Sequence, residues 1–172
     1  MGVAAWDITC VFWNKRVFNE IEMFDERFKR LQDLELHTRL LLKGYHFRRV
    51  DIIDSWYRTM DSQHYLNTSK LPYIIDAYLM YIDKYWHFNE ANSPLSNNEL
   101  RVSLRVLYLY VLKKFVLRDK PICLRKVIKF NNQKKIVPRK VIFLVYILSG
   151  YHVLGLNNRF GYTKLRNLIF NG

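Results

Sequence analysis

Cysteine is scarce in this sequence. Only Cys10 and Cys123 occur in its 172 residues, far apart and in apolar surroundings, which excludes a dense disulfide framework and any metal site built on paired thiolates. A reducing compartment is the simpler expectation. No basic segment leads into an apolar core and a small-residue cleavage site, so no secretory signal is read at the amino terminus. Long apolar runs are missing as well. The best, Val141 to Leu148, is stopped by Arg139-Lys140 and Ser149-Gly150, short of the roughly 18 to 20 residues that a membrane-spanning helix needs. The chain is therefore expected to be non-spanning and cytoplasmic. There is also no Gly-rich phosphate loop, no Ser/His/Asp order with a nucleophile elbow, no Cys/His metal spacing, no internal repeat and no low-complexity tract.

Acidic residues are nearly absent from one end. Residues 101–172 hold 16 Lys and Arg against the single acid Asp119, whereas residues 1–60 hold 10 against 9. The total of +13 is thus concentrated in the tail, where it favours lipid headgroups, nucleic acid phosphates or acidic proteins through a salt-screened attraction. What the chain does have is apolar and aromatic side chains. Half of its residues are hydrophobic, enough to fill a core, and 12 Tyr, 11 Phe and 4 Trp supply rings for burial or for stacking on sugars.

Thr9-Cys10-Val11-Phe12-Trp13 is β-branched and aromatic, which predicts a buried strand, and Asn14 is placed to cap a short helix over Lys15 to Ile21. Leu31, Leu34 and Leu41 recur at helical spacing and predict a second helix over 31–43, with Gly44 at the position of a left-handed C-cap. His46 to Ile53 reads as a second strand, with Phe47, Val50 and Ile52 apolar among charged neighbours. Strand, helix, helix, strand is an α/β unit, and a boundary is expected near residue 66. Beyond it the pattern is helical: one helix in Leu71 to Phe88, one capped by Asn97 or Asn98 and running through Leu117, one opening at Pro121 and one at Pro138.

Within the first third stand Phe24-Asp25-Glu26-Arg27-Phe28, then Gln32-Asp33, Arg39 and Gly44-Tyr45. From about Thr9 to Ser62 this block resembles the acceptor side of a family 2 glycosyltransferase, whose members carry Phe-Asp-Glu, an acidic pair opening a helix with an Arg, and Gly-Tyr before a strand. The resemblance implies the C-terminal part of a GT-A-type α/β domain over residues 1–66, with an incomplete sheet, and a basic helical extension over 67–172. It implies transfer of a sugar from a nucleotide-sugar donor to a glycan or lipid-linked acceptor. Asp33 stands where the family places its base, Gln32 where the first acid of the pair usually is, and Asp25 and Glu26 toward the acceptor. Arg58 and His64 correspond to groups that face the donor diphosphate and a metal, Mg or Mn. A carboxylate in reach of the acceptor hydroxyl has the chemistry a base requires, although an acid in the first turn of a helix is also favoured by the macrodipole alone. Glu35 and Arg39, four residues apart, read as a surface ion pair.

The family's Asp-x-Asp, which holds the cation against the diphosphate, occurs nowhere in the sequence. A donor-binding half is therefore expected on another chain or in a homo-oligomer, and the chain alone is expected to be inactive. The tail supplies the alternative: Leu104, Leu107, Tyr108, Val111, Leu112 and Phe115, flanked by Arg101, Arg105, Lys113, Lys114, Arg118 and Lys120, form an amphipathic cationic helix. Such a module could bind an anionic membrane at its inner face, with nucleic acid the weaker candidate.

Overall fold

Asn14 keeps an extended backbone and its Oδ1 accepts from the Arg16 N–H at 3.0 Å, so helix α1 (Lys15–Glu20) begins where the cap predicts. The computed structural model describes residues 11–12, 14–46, 48, 71–88, 96–116, 121–156 and 161–170. Helix α2 (Gln32–Leu42) follows a left-handed Leu31, φ 62°, and ends at Gly44, φ 78°. There the N–H of Tyr45 reaches the Leu40 carbonyl and that of Gly44 the Leu41 carbonyl, each at 3.1 Å. This paired bonding closes the last turn, and glycine supplies its left-handed residue without Cβ strain.

The chain divides into two compact units, Met1–Arg101 and Val102–Gly172. In the first, α1 and α2 bury Ile21, Leu36 and Leu40 against Val17, Phe18, Phe24 and Tyr45. Helix α3 (Leu71–Trp86) presents Tyr81 and Lys84-Tyr85, at i, i+3 and i+4, to Glu35 and Thr38 of α2. The pairs run 35 with 84 and 85 and 38 with 81, so the two helices are antiparallel. Helix α4 (Asn97–Val111) is capped by Ser96, not by Asn97 or Asn98. The Ser96 Oγ accepts from the Glu99 N–H while the Glu99 carboxylate accepts from the Ser96 N–H, a reciprocal box that uses both side chains.

The second unit holds the rest of α4, a π-helical turn Leu112–Val116, and helices α5 (Pro121–Lys134), α6 (Arg139–Val153) and α7 (Tyr162–Phe170). Leu104, Leu107, Tyr108, Val111 and Leu112 are buried, so the apolar stripe of the cationic helix faces a core. The Tyr108 hydroxyl donates to the Val127 carbonyl at 3.0 Å. Buried Asn131 joins α5 to α6: its Oδ1 accepts from the Val137 N–H at 2.9 Å and its Nδ2 donates to the Val137 carbonyl at 3.2 Å. At the far end, Tyr162 and His152 Nε2 share a hydrogen bond of 2.8 Å between α7 and α6.

The α/β expectation is overturned. The described residues are mainly helical and contain no strand, so the incomplete GT-A-like sheet is not the fold of the described residues. Of the expected strand 9–13, only Val11 and Phe12 are described; they have no regular structure, and Phe12 is 82 % exposed. Of 46–53, His46 and Arg48 are described and form no strand. Aromatic and β-branched residues favour a strand only where a neighbouring strand and a packed face are available. The boundary expected near residue 66 lies outside the described residues. Among the described residues no helix is long and apolar enough to cross a membrane.

Candidate functional site

Between α1 and α2 the chain makes two left-handed residues, Glu22 and Met23, with φ of 62° and 53°. Such conformations cost about 1–2 kcal/mol each for a side-chain-bearing residue and persist only where surrounding contacts enforce them. Arg39 provides those contacts. Its Nη1 donates to the Ile21 carbonyl and its Nη2 to the Met23 carbonyl, which pins the turn to the middle of α2. The turn in turn directs Phe24 to Phe28 across the start of that helix.

Glu35 organises the guanidinium and more besides. It is 0 % exposed, and its carboxylate accepts from Arg39 Nε at 2.7 Å and Nη2 at 3.0 Å, from Lys84 Nζ at 2.6 Å and from the Tyr85 hydroxyl at 2.9 Å. The Glu35–Arg39 pair expected at the surface is thus the inner link of a charge network. Its spacing was legible; its burial was not, because it depends on α3 closing over it. Lys84 also reaches Asp25 Oδ2 at 2.8 Å and lies 5.6 Å from the centre of the buried Phe28 ring, where the ring quadrupole favours a cation. One ammonium thereby fastens the Phe-Asp-Glu loop and the first turns of α2 to α3.

Asp25 is largely consumed by these bonds. The Arg27 guanidinium grips it at 2.8 and 2.6 Å, and this contact first, then Lys84, holds its carboxyl well below the usual carboxylate range. On α3, burial and then the neighbouring Glu35 carboxylate push the Tyr85 hydroxyl far above its ordinary value, and burial pushes Tyr81 up to about 12. Both rings therefore stay protonated donors at neutral pH. Tyr81 shares a 2.6 Å hydrogen bond with the Thr38 hydroxyl.

Above this network opens a cleft of about 520 Å³ lined by Phe24, Asp25, Glu26, Phe28, Lys29, Gln32 and Asp33. All four residues expected at an acceptor site from the Phe-Asp-Glu and Gln-Asp segments, Asp25, Glu26, Gln32 and Asp33, share its wall. Asp33 is half-buried, and its Oδ1 accepts from the Leu34 N–H at 3.0 Å. Phe24 and Phe28 contribute apolar lining, and Lys29 a cation. Arg58 and His64 lie outside the described residues. Lys84 and Tyr85, which no motif pointed to, hold the cleft from below. Their sequence signal is faint: polar-tipped Tyr81, Lys84 and Tyr85 at i, i+3 and i+4 on α3, facing Glu35 and Thr38 on α2.

A divalent cation does not fit the described part of this site. No group of three or more His, Cys, Asp or Glu able to hold one occurs among the described residues, and Asp25, the best-placed acid besides Asp33, is already held by two cationic side chains. Compared with known protein families, curated proteins and solved structures, the chain matches none.

Proposed function

We propose that this chain carries the acceptor side of a family 2-like glycosyltransferase and acts together with a donor-binding half supplied outside these residues. The observation that carries the reading is the convergence of Asp25, Glu26, Gln32 and Asp33 on one cleft, with Arg39 fixing the turn that presents the loop. In the reaction, an acceptor hydroxyl seated in the cleft loses its proton to the Asp33 carboxylate as its oxygen attacks the anomeric carbon. The bond from that carbon to the nucleotide diphosphate breaks, the diphosphate leaves with the electron pair, and the configuration inverts. The half-buried ring of Phe24 offers apolar surface for a sugar face, and Glu26 and Gln32 offer hydrogen bonds to its hydroxyls. Work on a lipid-linked acceptor would place the chain at the inner face of the membrane as a peripheral protein.

The test has two readouts. Saturation-transfer NMR of the full chain against an oligosaccharide panel should detect binding that Phe24→Ala weakens and Asp33→Asn leaves intact. Sugar transfer, measured with candidate donor-binding segments from the same genome added, should fall by about 10²–10⁴-fold in Asp33→Asn, the usual contribution of a positioned base. Undiminished transfer by Asp33→Asn, or no saccharide binding by the parent chain, overturns the reading.

A further inference from the structure

The apolar stripe of the cationic helix α4 is spent on the core, yet one helix of the second unit remains apolar on two sides. Helix α6 buries Ile142, Val145 and Leu148 on one face. On the other, Phe143 is 65 %, Tyr146 50 %, Val153 72 % and Leu154 70 % exposed, and Ile147 is exposed beside them. At 3.6 residues per turn these five positions fall within roughly 120° of arc, and Phe143 to Leu154 spans about 16 Å of helix. Arg139 continues the same stripe at the helix start, next to Lys140. A contiguous exposed apolar face of this kind on an otherwise packed unit marks an interaction surface.

The amino-terminal end of the stripe opens on a second cleft, about 700 Å³, lined by Arg105, Asn131, Asn132, Lys135, Ile136, Val137, Pro138 and Arg139. Its polar rim is cationic. Arg105 reaches into it from α4 while its Nε donates to the Ile136 carbonyl at 3.1 Å. Lys135 adopts a left-handed conformation, φ 54°, at the α5–α6 corner that Asn131 fixes. Residues 102–172 contain 15 Lys and Arg and one acid, Asp119.

From this juxtaposition we infer that the second unit docks on an anionic phospholipid surface, with headgroup phosphates at the Arg105–Lys135–Arg139 cleft and the Phe143–Leu154 face sunk into the acyl boundary. The occupant follows from the combination. Nucleic acid satisfies the charge but offers no apolar layer in which to bury Phe143, Val153 and Leu154. A second copy satisfies the apolar face but brings the same excess of positive charge. An anionic bilayer satisfies both, with Tyr146 suited to the interface and Arg139 and Lys140 at headgroup level. The inference deepens the peripheral placement proposed above and rests on it only for the side of the membrane.

The test is co-sedimentation of the full chain with phosphatidylcholine vesicles with and without phosphatidylserine. Binding is expected to the phosphatidylserine vesicles and to weaken with salt. Phe143→Ser/Val153→Ser should lose at least about tenfold in affinity, the scale of withdrawing two large apolar side chains from an apolar phase, with unchanged helical circular dichroism. Lys135→Gln/Arg139→Gln should flatten the phosphatidylserine dependence, and soluble glycerophosphoserine in excess should not displace the chain. Failure to bind phosphatidylserine vesicles, full binding by the serine variant, or a lipid-free dimer that the serine variant abolishes would each overturn the inference. Because sedimentation is read without sugar transfer, a chain that binds vesicles but transfers nothing keeps this inference and loses the transferase reading.

Discussion

Replacing Glu35 by Gln keeps the side-chain volume and removes the one charge that two cations share. Glu35 is fully buried, while Arg39 and Lys84 retain 16 % and 26 % of their side-chain exposure. Removing one partner from a buried ion pair costs about 3–5 kcal/mol, because the remaining charge is left uncompensated. Here both cations can turn partly back to water, which places the expectation at the lower end, about 3 kcal/mol. That is a large share of the 5–15 kcal/mol typical of a folded protein. The four tryptophans, Trp6, Trp13, Trp56 and Trp86, all belong to the first unit, so urea unfolding followed by tryptophan fluorescence reads this unit selectively. With a urea slope of about 1–3 kcal/mol per molar, the midpoint should fall by roughly 1–3 M. Combining Glu35→Leu with Lys84→Met, which removes charge from both sides, should recover part of the loss. A Glu35→Gln midpoint within about 0.3 M of the parent would refute the reasoning, since the network would then contribute nothing net and the left-handed turn at Glu22-Met23 would hold without it.

Asn131→Leu in the second unit should cost about 1–3 kcal/mol for each of the two Val137 backbone groups left buried without a partner. Thermal unfolding by circular dichroism measures the loss, and faster hydrogen exchange at the Val137 amide locates it. Acid stability of the first unit should carry a contribution from Asp25. Its folded pKa is depressed, by Arg27 first and by Lys84, below the unfolded value near 3.9, so the contribution is fully present above that value and is lost as pH falls through the folded pKa. Fluorescence-monitored stability should therefore decline below about pH 4, and Asp25→Asn should remove that part of the decline. An unchanged acid limb in Asp25→Asn would show that the carboxylate is not held as the geometry implies.

The helices were legible where a local rule was decisive. Asn14 caps α1 because its side chain can reach the Arg16 N–H, and Gly44 ends α2 because glycine tolerates φ 78°. Ser96 and Glu99 carry an equally local signal, the Ser-x-x-Glu box, and it wins over the adjacent asparagines because each partner satisfies the other's backbone N–H. The expected strands had no such local rule behind them. A strand is completed by its neighbours, and Val11 and Phe12, which looked ready for burial, find no paired strand among the described residues and leave Phe12 in solvent.

For the site, sequence alone placed Asp25, Glu26, Gln32 and Asp33 within a few residues of one another at a helix start, and that spacing is enough to put them near one cleft. It also fixed the charge asymmetry that makes the tail attractive to anions. Tertiary structure decided what those residues can do. Glu35 became a buried hub because α3 brings Lys84 and Tyr85 from about fifty residues away, and Asp25 was drawn into that hub. The apolar series of α4 went to a core, and the outward face fell to α6. Hydrophobic spacing says that a helix has a face to bury; only the packing of the other helices says which face has already found a partner and which has not.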